Sequence, residues 1–231
     1  MGRKKPCETA KRLLTAAAEV FAEKDYRSAT VSEICQLAEA NIAAVNYHFR
    51  DKETLYAEAW RHAFSESIKA QPPDGGVSPE APPQERLRGQ ITALLARIGH
   101  PKNKEFWIAQ KEITNPTGLL AEVMAAEITP LHKRMEGVVR ELLDPAATES
   151  QVQFSVLSIV SQCTGPITVS RSLRAKGHEG SGPPRITDID SYAEHVARFS
   201  LGALSVLRSI PHPADEPPKT EKNVSDGRRT R

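Results

Sequence analysis

Between residues 41 and 52 the chain reads Asn41-Ile42-Ala43-Ala44-Val45-Asn46-Tyr47-His48-Phe49-Arg50-Asp51-Lys52. These residue types at this spacing suit contact with duplex DNA. A helix that enters the major groove needs small side chains at its closest approach, methyl groups for thymine and planar amides for adenine. Ala43 and Ala44 permit close approach, Ile42 offers an apolar contact to thymine methyls, and Asn46 can pair with an adenine edge. Asn41, Ile42, Ala43 and Asn46 are the candidate base-facing residues. Phe49 reads as a core aromatic, whereas Tyr47 reads as an outward contact. His48 stays open between a packed histidine satisfying a helix-end carbonyl and a phosphate donor.

Catalytic chemistry finds less support. Glu112, His132, Glu136 and His195 are the residues one would recruit, yet no two form His-x-x-x-His or another ligand spacing. No Gly-rich phosphate loop or nucleophile elbow occurs. Cys7, Cys35 and Cys163 are odd in number, widely spaced and without a C-x-x-C pair, so they fit neither a disulfide framework nor a zinc site. Cys35 reads as core. We expect no enzyme activity, catalytic residue, metal or cofactor.

The elements that must position residues 41–52 are set by periodicity. Val31, Ile34, Cys35 and Ala38 recur at i, i+3, i+4 and i+7, which predicts a helix over 31–38 with Thr30 as its cap. A second helix over 42–49 starts at Asn41 as N-cap and turns Ala40, Val45 and Phe49 inward. Two short helices around a tight break are how a helix-turn-helix is written. Leu13, Leu14, Ala17, Val20 and Phe21 give residues 9–24 a buried face, with Tyr26 folding back over its end. A helix from Lys52 to Lys69 carries Leu55, Ala59, Trp60, Ala63 and Phe64 on one stripe and links this reader to the C-terminal two-thirds of the chain.

Residues 71–83 are rich in Pro and Gly and predict a flexible loop, with a domain boundary at or before it. Beyond it the pattern is helical only: 84–98, 103–114, 117–143, 148–172 and 189–209. The glycines and prolines of 173–188 predict a second, mobile loop, and 211–231 has too few large apolar residues to order itself. The expected organisation is a basic arm over 1–8, a helix-turn-helix domain over 9–62, a helical regulatory and dimerisation domain over 63–210, and a disordered tail. The fold class is all-α.

A chain of 231 residues, 39% apolar and 26% charged, can bury one ordinary core plus a small appended domain. No run approaches 18 apolar residues and the N-terminus lacks a hydrophobic stretch after its charges, so the expectation is a cytoplasmic protein without a membrane partner. The net charge of +2 does not advertise nucleic-acid binding. Its distribution is more telling: Arg3, Lys4, Lys5, Lys11 and Arg12 gather in the arm and first turn, and Lys52 opens the helix after the reader.

With Ala38, Ala40, Asn41, Ala43, Val45, Tyr47, His48, Phe49, Lys52 and Glu53 in register, residues 9 to about 60 resemble the DNA-binding domain of the TetR family of bacterial one-component regulators. The string from Asn41 to Phe49 is similar to its CecR-like (YbiH-like) branch, as is Tyr192-Ala193-Glu194-His195-Val196-Ala197-Arg198-Phe199-Ser200-Leu201 to that branch's last helix. Two positions depart from the pattern. Glu39 stands at the turn where the family usually has glycine, so the turn is strained or differently shaped, and Asp25 replaces the glycine that commonly ends the first helix.

The resemblance implies that Tyr47, His48 and Lys52 touch backbone phosphates. Thr30 and Ser32 lie at a helix N-terminus, where amides and hydroxyls favour anions. It also implies a homodimer built on the last two long helices, for which Phe154, Leu157, Val160, Val196, Phe199 and Leu204 are the candidates; burial of both helices in a monomeric core is the alternative. The middle helices would enclose a small-molecule effector of unknown identity, with Phe106, Trp107, Gln110, Lys111, Met124, Ile128, Gln162 and Cys163 as lining candidates. The expectation is a homodimeric repressor that leaves a pseudo-palindromic double-stranded operator when the effector binds. A co-regulator acting through protein contact without operator binding is the alternative, and Glu39 is its support.

Overall fold

The computed structural model describes residues 8–100, 103–145, 147–175 and 186–209. Nine helices and no strand occur among them: α1 (Glu8–Glu23), α2 (Val31–Leu37), α3 (Ile42–Phe49), α4 (Lys52–Ala70), α5 (Pro83–Gly99), α6 (Glu105–Thr114), α7 (Ala121–Leu142), α8 (Glu149–Ala175) and α9 (Ile189–Ser209). Most of the expected arm, the second loop and the expected tail lie outside the described residues.

The helices pack around two hydrophobic cores. The first gathers Leu13, Ala17 and Phe21 of α1, Ile34 of α2, Val45 and Phe49 of α3, and Leu55, Tyr56, Trp60 and Phe64 of α4. It continues into Ile108 of α6 and into Leu120 and Val123, so apolar packing crosses from the reader into the rest of the chain without a gap. Tyr26 does fold back over α1: its ring lies 6.2 Å from Phe21 and 4.9 Å from Tyr56, centroid to centroid. The second core joins Leu87, Ile91 and Leu95 of α5, Val139 of α7, Val152, Ile159 and Cys163 of α8, and Val196, Ala197 and Leu204 of α9.

Two expectations about connections are corrected. Residues 71–82 are a succession of hydrogen-bonded turns, not a free loop: Gly75 N donates to Pro72 O, Gly76 N to Asp74 Oδ1 and Ala81 N to Ser78 O. Close packing holds them on α5, because a Cβ on Gly75 would stand 2.5 Å from the Gly89 carbonyl oxygen. The helix expected from 117 starts at Ala121 instead. Glu112, itself buried, accepts hydrogen bonds from the amides of Thr117 and Gly118 at 3.0 and 2.9 Å. Gly118, at φ 80°, breaks the helical path.

Helix α8 contains a proline whose consequence is visible. Pro166 has no N–H for the carbonyl of Gln162, and that oxygen instead accepts from the Tyr192 hydroxyl of α9 at 2.8 Å. The same helix corrects the reading of hydropathy. Glu149–Val169, at mean hydropathy 1.2, is long and apolar enough by composition to cross a membrane. Its apolar residues occupy two faces: Val152, Val156 and Ile159 turn inward, while Phe154 and Leu157 are exposed.

Candidate nucleic-acid interface

The local sequence fixes each end of the reader. At the start of α2 the Thr30 hydroxyl accepts from Glu33 N at 3.2 Å while Glu33 Oε2 accepts from Thr30 N at 3.1 Å, a reciprocal capping box. The Glu33 carboxylate is held below the usual range by its hydrogen bond to Lys24 and by those from Thr30. An anion belonging to the chain thus already sits at this helix N-terminus, which leaves the exposed Ser32 as the open position of the expected pair.

The turn between α2 and α3 resolves the question raised by Glu39. Its φ is +49°, in the left-handed region. Ala40 N donates to Cys35 O at 2.9 Å and Glu39 N to Gln36 O at 3.3 Å, which is the bond pair of a Schellman motif. The turn therefore has the shape a glycine would give it, and Glu39 carries the backbone strain. Asp25 does not take the left-handed conformation that a helix-ending glycine often has: φ is not positive there, and its carboxylate accepts from Ser28 N at 2.8 Å, which holds its pKa below the usual value.

Asn41 caps α3 by accepting from Ala44 N at 2.9 Å, so its side-chain oxygen is committed to the helix. Ala44 is half-buried against the first core, and with Val45 and Phe49 it forms the inward side. The outward side consists of Ile42, Ala43, Asn46 and Tyr47. Tyr47 is 83% exposed and Ile42 53% exposed, unusual values for side chains with so much apolar surface. His48 is half-buried, with its ring edge-on to Tyr47 at 4.8 Å.

Two residues, Arg50 and Asp51, join this helix to α4. Arg50 has φ 70° and ψ −51°, and Asp51 N donates to Phe49 O at 2.9 Å. These are the angles and the bond of a classical γ-turn, a rare and strained connection. Asp51 then caps α4 by accepting from Thr54 N at 2.7 Å, and this bond lowers its pKa. The Lys52 ammonium is 4.4 Å from the centre of the Tyr26 ring, and burial lowers its pKa. It is half-buried over an aromatic face and not a free surface cation, as the sequence suggested. The exposed Arg50, which the residue pattern did not nominate, is the basic side chain immediately after the outward helix.

Helix α4 is tied to α6 at several points. The Tyr56 hydroxyl donates to Glu112 Oε2 at 3.3 Å, and Trp60 Nε1 donates to the Glu105 carbonyl at 3.1 Å. Ser67 Oγ donates to Glu105 Oε1 at 3.1 Å, and Arg97 of α5 pairs with the same carboxylate oxygen at 3.1 Å. Arg61 reaches Glu127 of α7 at 3.5 Å.

Beside these contacts α6 borders a cavity of about 320 Å³, whose wall includes Glu105 itself and Phe64 of α4. Of the expected lining residues, Phe106, Gln110, Met124 and Ile128 border it; Trp107, Lys111, Gln162 and Cys163 do not. The helical period explains the division on α6, since Phe106, Ala109, Gln110 and Ile113 share one face and Trp107 and Lys111 lie on the next. Cys163 is wholly buried in the second core, where burial pushes its thiol up to about 12. The Gln162 side-chain amide donates to Ser158 O, and its backbone carbonyl accepts from the Tyr192 hydroxyl. The wall also includes Gln90, Leu94 and Arg97 of α5 and His132 and Arg134 of α7, none of which the sequence pattern nominated for a cavity.

The proposed dimer residues separate in the same way. Phe154, Leu157 and Phe199 are 66%, 63% and 61% exposed. Val160 is half-buried, whereas Val196 and Leu204 turn into the chain's own core. The exposed stripe of α9 is instead His195, Phe199, Gly202 and Val206. Glu112, considered for catalysis, is consumed by its bonds to Tyr56, Thr117 and Gly118. Among the described residues no three His, Cys, Asp or Glu side chains gather as a metal site.

Two family models match the chain: bacterial regulatory proteins of the tetR family over residues 13–59, and the C-terminal domain of the HTH-type transcriptional dual regulator CecR over residues 83–204. No curated protein sequence matches significantly. Solved structures share the fold. A TetR-like transcriptional regulator from Rhodococcus sp. RHA1 superposes with a TM-score of 0.62 at 16% identity, over 88% of this chain and 99% of that one. The fatty acid degradation regulator FadR from Bacillus halodurans gives 0.65 at 15% identity, over 87% and 98%. A further regulatory protein in the tetR family from Rhodococcus RHA1 gives 0.64 at 20% identity, over 86% and 98%.

Proposed function

The chain belongs to the TetR family of bacterial transcriptional regulators, in its CecR-like branch, and from that premise we propose that it is a homodimeric repressor released from its operator by a small-molecule effector. The observation that carries the DNA-reading part is the outward side of α3, where Tyr47 and Ile42 stand exposed around the small Ala43. Ile42, Ala43 and Asn46 would face base edges. Tyr47, His48 and Arg50 would meet phosphates, which fix register and add no code. Asn41 would contribute mainly as the cap that orients the helix.

One such reader spans too few base pairs to discriminate a site, and a two-fold dimer places a second reader one helical turn of DNA away, about 34–36 Å. The exposed Phe154, Leu157, Phe199 and Val206 supply a self-complementary apolar face for that dimer. The same face accounts for the hydropathy of α8, because a helix covered by its own core on one side and by a partner on the other is apolar nearly all round. On this reading the protein works in the cytoplasm without a membrane partner.

Release depends on the position of α6. A molecule bound in the cavity presses on Phe106, Ala109 and Gln110 of α6, whose adjoining Glu105 and Glu112 hold α4, and on Phe64 of α4 itself. A shift of α4 changes the distance between the two readers, and only a ligand that prefers the shifted state can drive it.

The test is a gel-shift series with the chain's own upstream DNA at several salt concentrations. We expect sequence-specific binding whose affinity falls steeply with salt, because phosphate contacts release counterions. Asn46→Ala should relax sequence preference, and Tyr47→Ala should weaken binding to all sequences. Complete absence of binding would overturn the reading and favour a co-regulator that docks on another protein.

A further inference from the structure

The two hydrophobic cores divide the molecule, and α7 runs through both. Its buried residues change sides along its length: Val123 lies in the first core with the reader, whereas Met135, Val138, Val139 and Leu142 lie in the second with α5, α8 and α9. Pro130 stands between them. It has no N–H for the carbonyl of Ala126, and its ring crowds that carbonyl, so α7 lacks a backbone bond where the cores part. Ala126 and Pro130 are both exposed, which leaves the freed carbonyl to water.

Helix α6 has Ile108 in the first core and Phe106 in the second, but its polar bonds hold it chiefly to the reader. Lys104, at its start, pairs with Glu19 of α1 at 3.1 Å, and Asn115, at its end, accepts from Arg27 at 3.4 Å. Tyr56 and Trp60 of α4 bind it between these points. Toward α5 the ties gather at one residue: Arg97 pairs with Glu105, its carbonyl accepts from Asn103 Nδ2 at 2.9 Å, and its guanidinium lies 5.4 Å from the centre of the Phe64 ring. The cavity opens between the two groups of helices, with Phe64 and Ala109 on the reader's side and Ala93 and Val160 on the other. Ile128 and Leu131, on either side of Pro130, border it as well.

We infer that an occupant of the cavity turns two bodies against each other about the break at Pro130. One body is α1 to α4, α6 and the first half of α7; the other is α5, α8, α9 and the rest of α7, which carries the proposed dimer face. The inference rests on the cavity being the effector site proposed above and adds the parts that move. A close-packed core resists deformation, so a wedge between two cores is relieved where the chain bends with fewest bonds to lose. The chain also crosses between the bodies after α4 and after α5, but both crossings lie between helices; only in α7 must a helix itself bend. Release then needs no rearrangement within the reader, because α4 moves together with α1 and α6.

A substitution on the α5 wall supplies the wedge. Ala93 is 4% exposed and borders the cavity, so Ala93→Trp places an indole there without removing any bond between α6 and the reader. Hydrogen exchange of this full-length variant, without DNA, should be about tenfold faster than in the parent at the amides of 124–134 and unchanged in α4. Unchanged exchange at 124–134, a rise in α4, or a uniform rise along the chain would overturn the inference. Pro130→Ala restores the missing backbone bond at an exposed helical position and should fold. Alone it should leave operator affinity within about twofold of the parent, the usual scatter of independent sites. Combined with Ala93→Trp it should recover the operator affinity that the wedge removes, and a wedge effect that persists would overturn the hinge while leaving the cavity as an effector site. Operator affinity untouched by Ala93→Trp would overturn both. If the parent itself binds no DNA, the regulator reading fails separately, and the exchange pattern alone decides whether the two bodies exist.

Discussion

Replacing Glu39 by glycine should make this protein more stable, although it removes a side chain and adds no contact. Glu39 occupies the left-handed position of the Schellman motif between α2 and α3, at φ +49°. Holding a residue with a Cβ in that region costs about 1–2 kcal/mol. Glycine removes the cost but gives the unfolded chain more freedom, which offsets about 0.4–1 kcal/mol. The balance is a gain of about 0.5–1 kcal/mol, and for a chain of this size that raises the melting temperature by about 1–4 °C. The Glu39 side chain is exposed, so its loss should cost little. Thermal unfolding followed by circular dichroism, at one protomer concentration because the protein is expected to self-associate, measures the shift. Glu39→Ala is the control: it deletes the same carboxylate and keeps the Cβ, and its stability should stay within about 0.5 kcal/mol of the parent. A Glu39→Gly variant that melts no higher than Glu39→Ala would refute strain at this position.

Glu112→Ala should destabilise the chain by about 2–3 kcal/mol in urea unfolding, because it strands the Thr117 and Gly118 amides, whereas Tyr56→Phe removes only one bond to the same carboxylate and should cost about 1 kcal/mol. Leu157→Glu, on an exposed position, should leave the urea midpoint nearly unchanged and convert a dimer to monomer in sedimentation; Leu204→Ala, in the second core, should cost about 2–5 kcal/mol and leave self-association intact. The carboxylates of Asp25, Asp51 and Asp188 are lowered by backbone N–H bonds at Ser28 and Thr54 and by the Ser191 hydroxyl and amide, respectively. A depressed folded-state value contributes stability above the ordinary carboxylate pKa of about 4, lost as pH falls through the lower folded values. The urea midpoint should therefore drop below about pH 4, and Asp51→Asn should flatten that drop.

Much of the architecture is legible in the residue pattern. The period of 3.6 and the capping residues Thr30 and Asn41 place helices over 31–38 and 42–49, the period alone places one over 189–209, and the observed elements begin and end within a residue of these bounds. Thr30 and Asn41 read as caps and act as caps. Local chemistry decides such features, because the bond partners are only a few residues away. Residues 117–120 mark the limit: the amides of Thr117 and Gly118 are taken by Glu112, a local carboxylate whose spacing carries no recognised cap signature.

Periodicity also says which residues share a face, but not what covers that face. Val196, Phe199 and Leu204 are all strongly apolar, and only the packing of α5 and α8 against α9 turns two of them inward and leaves Phe199 outside. The cavity wall is a product of three-dimensional assembly as well. Gln90 and Arg97 lie on a helix whose apolar residues looked like ordinary core, and they border the space because α5, α6 and α7 converge there. The sequence gives no sign that Tyr26, two helices earlier in the chain, stands beneath the Lys52 ammonium. The sequence by itself determined the helices, their caps and the outward chemistry of α3, all set by neighbours along the chain. Tertiary structure decided the inward face of α9, the composition of the cavity and the bonds from α6 to α4, because burial and pairing there depend on residues brought together only by folding.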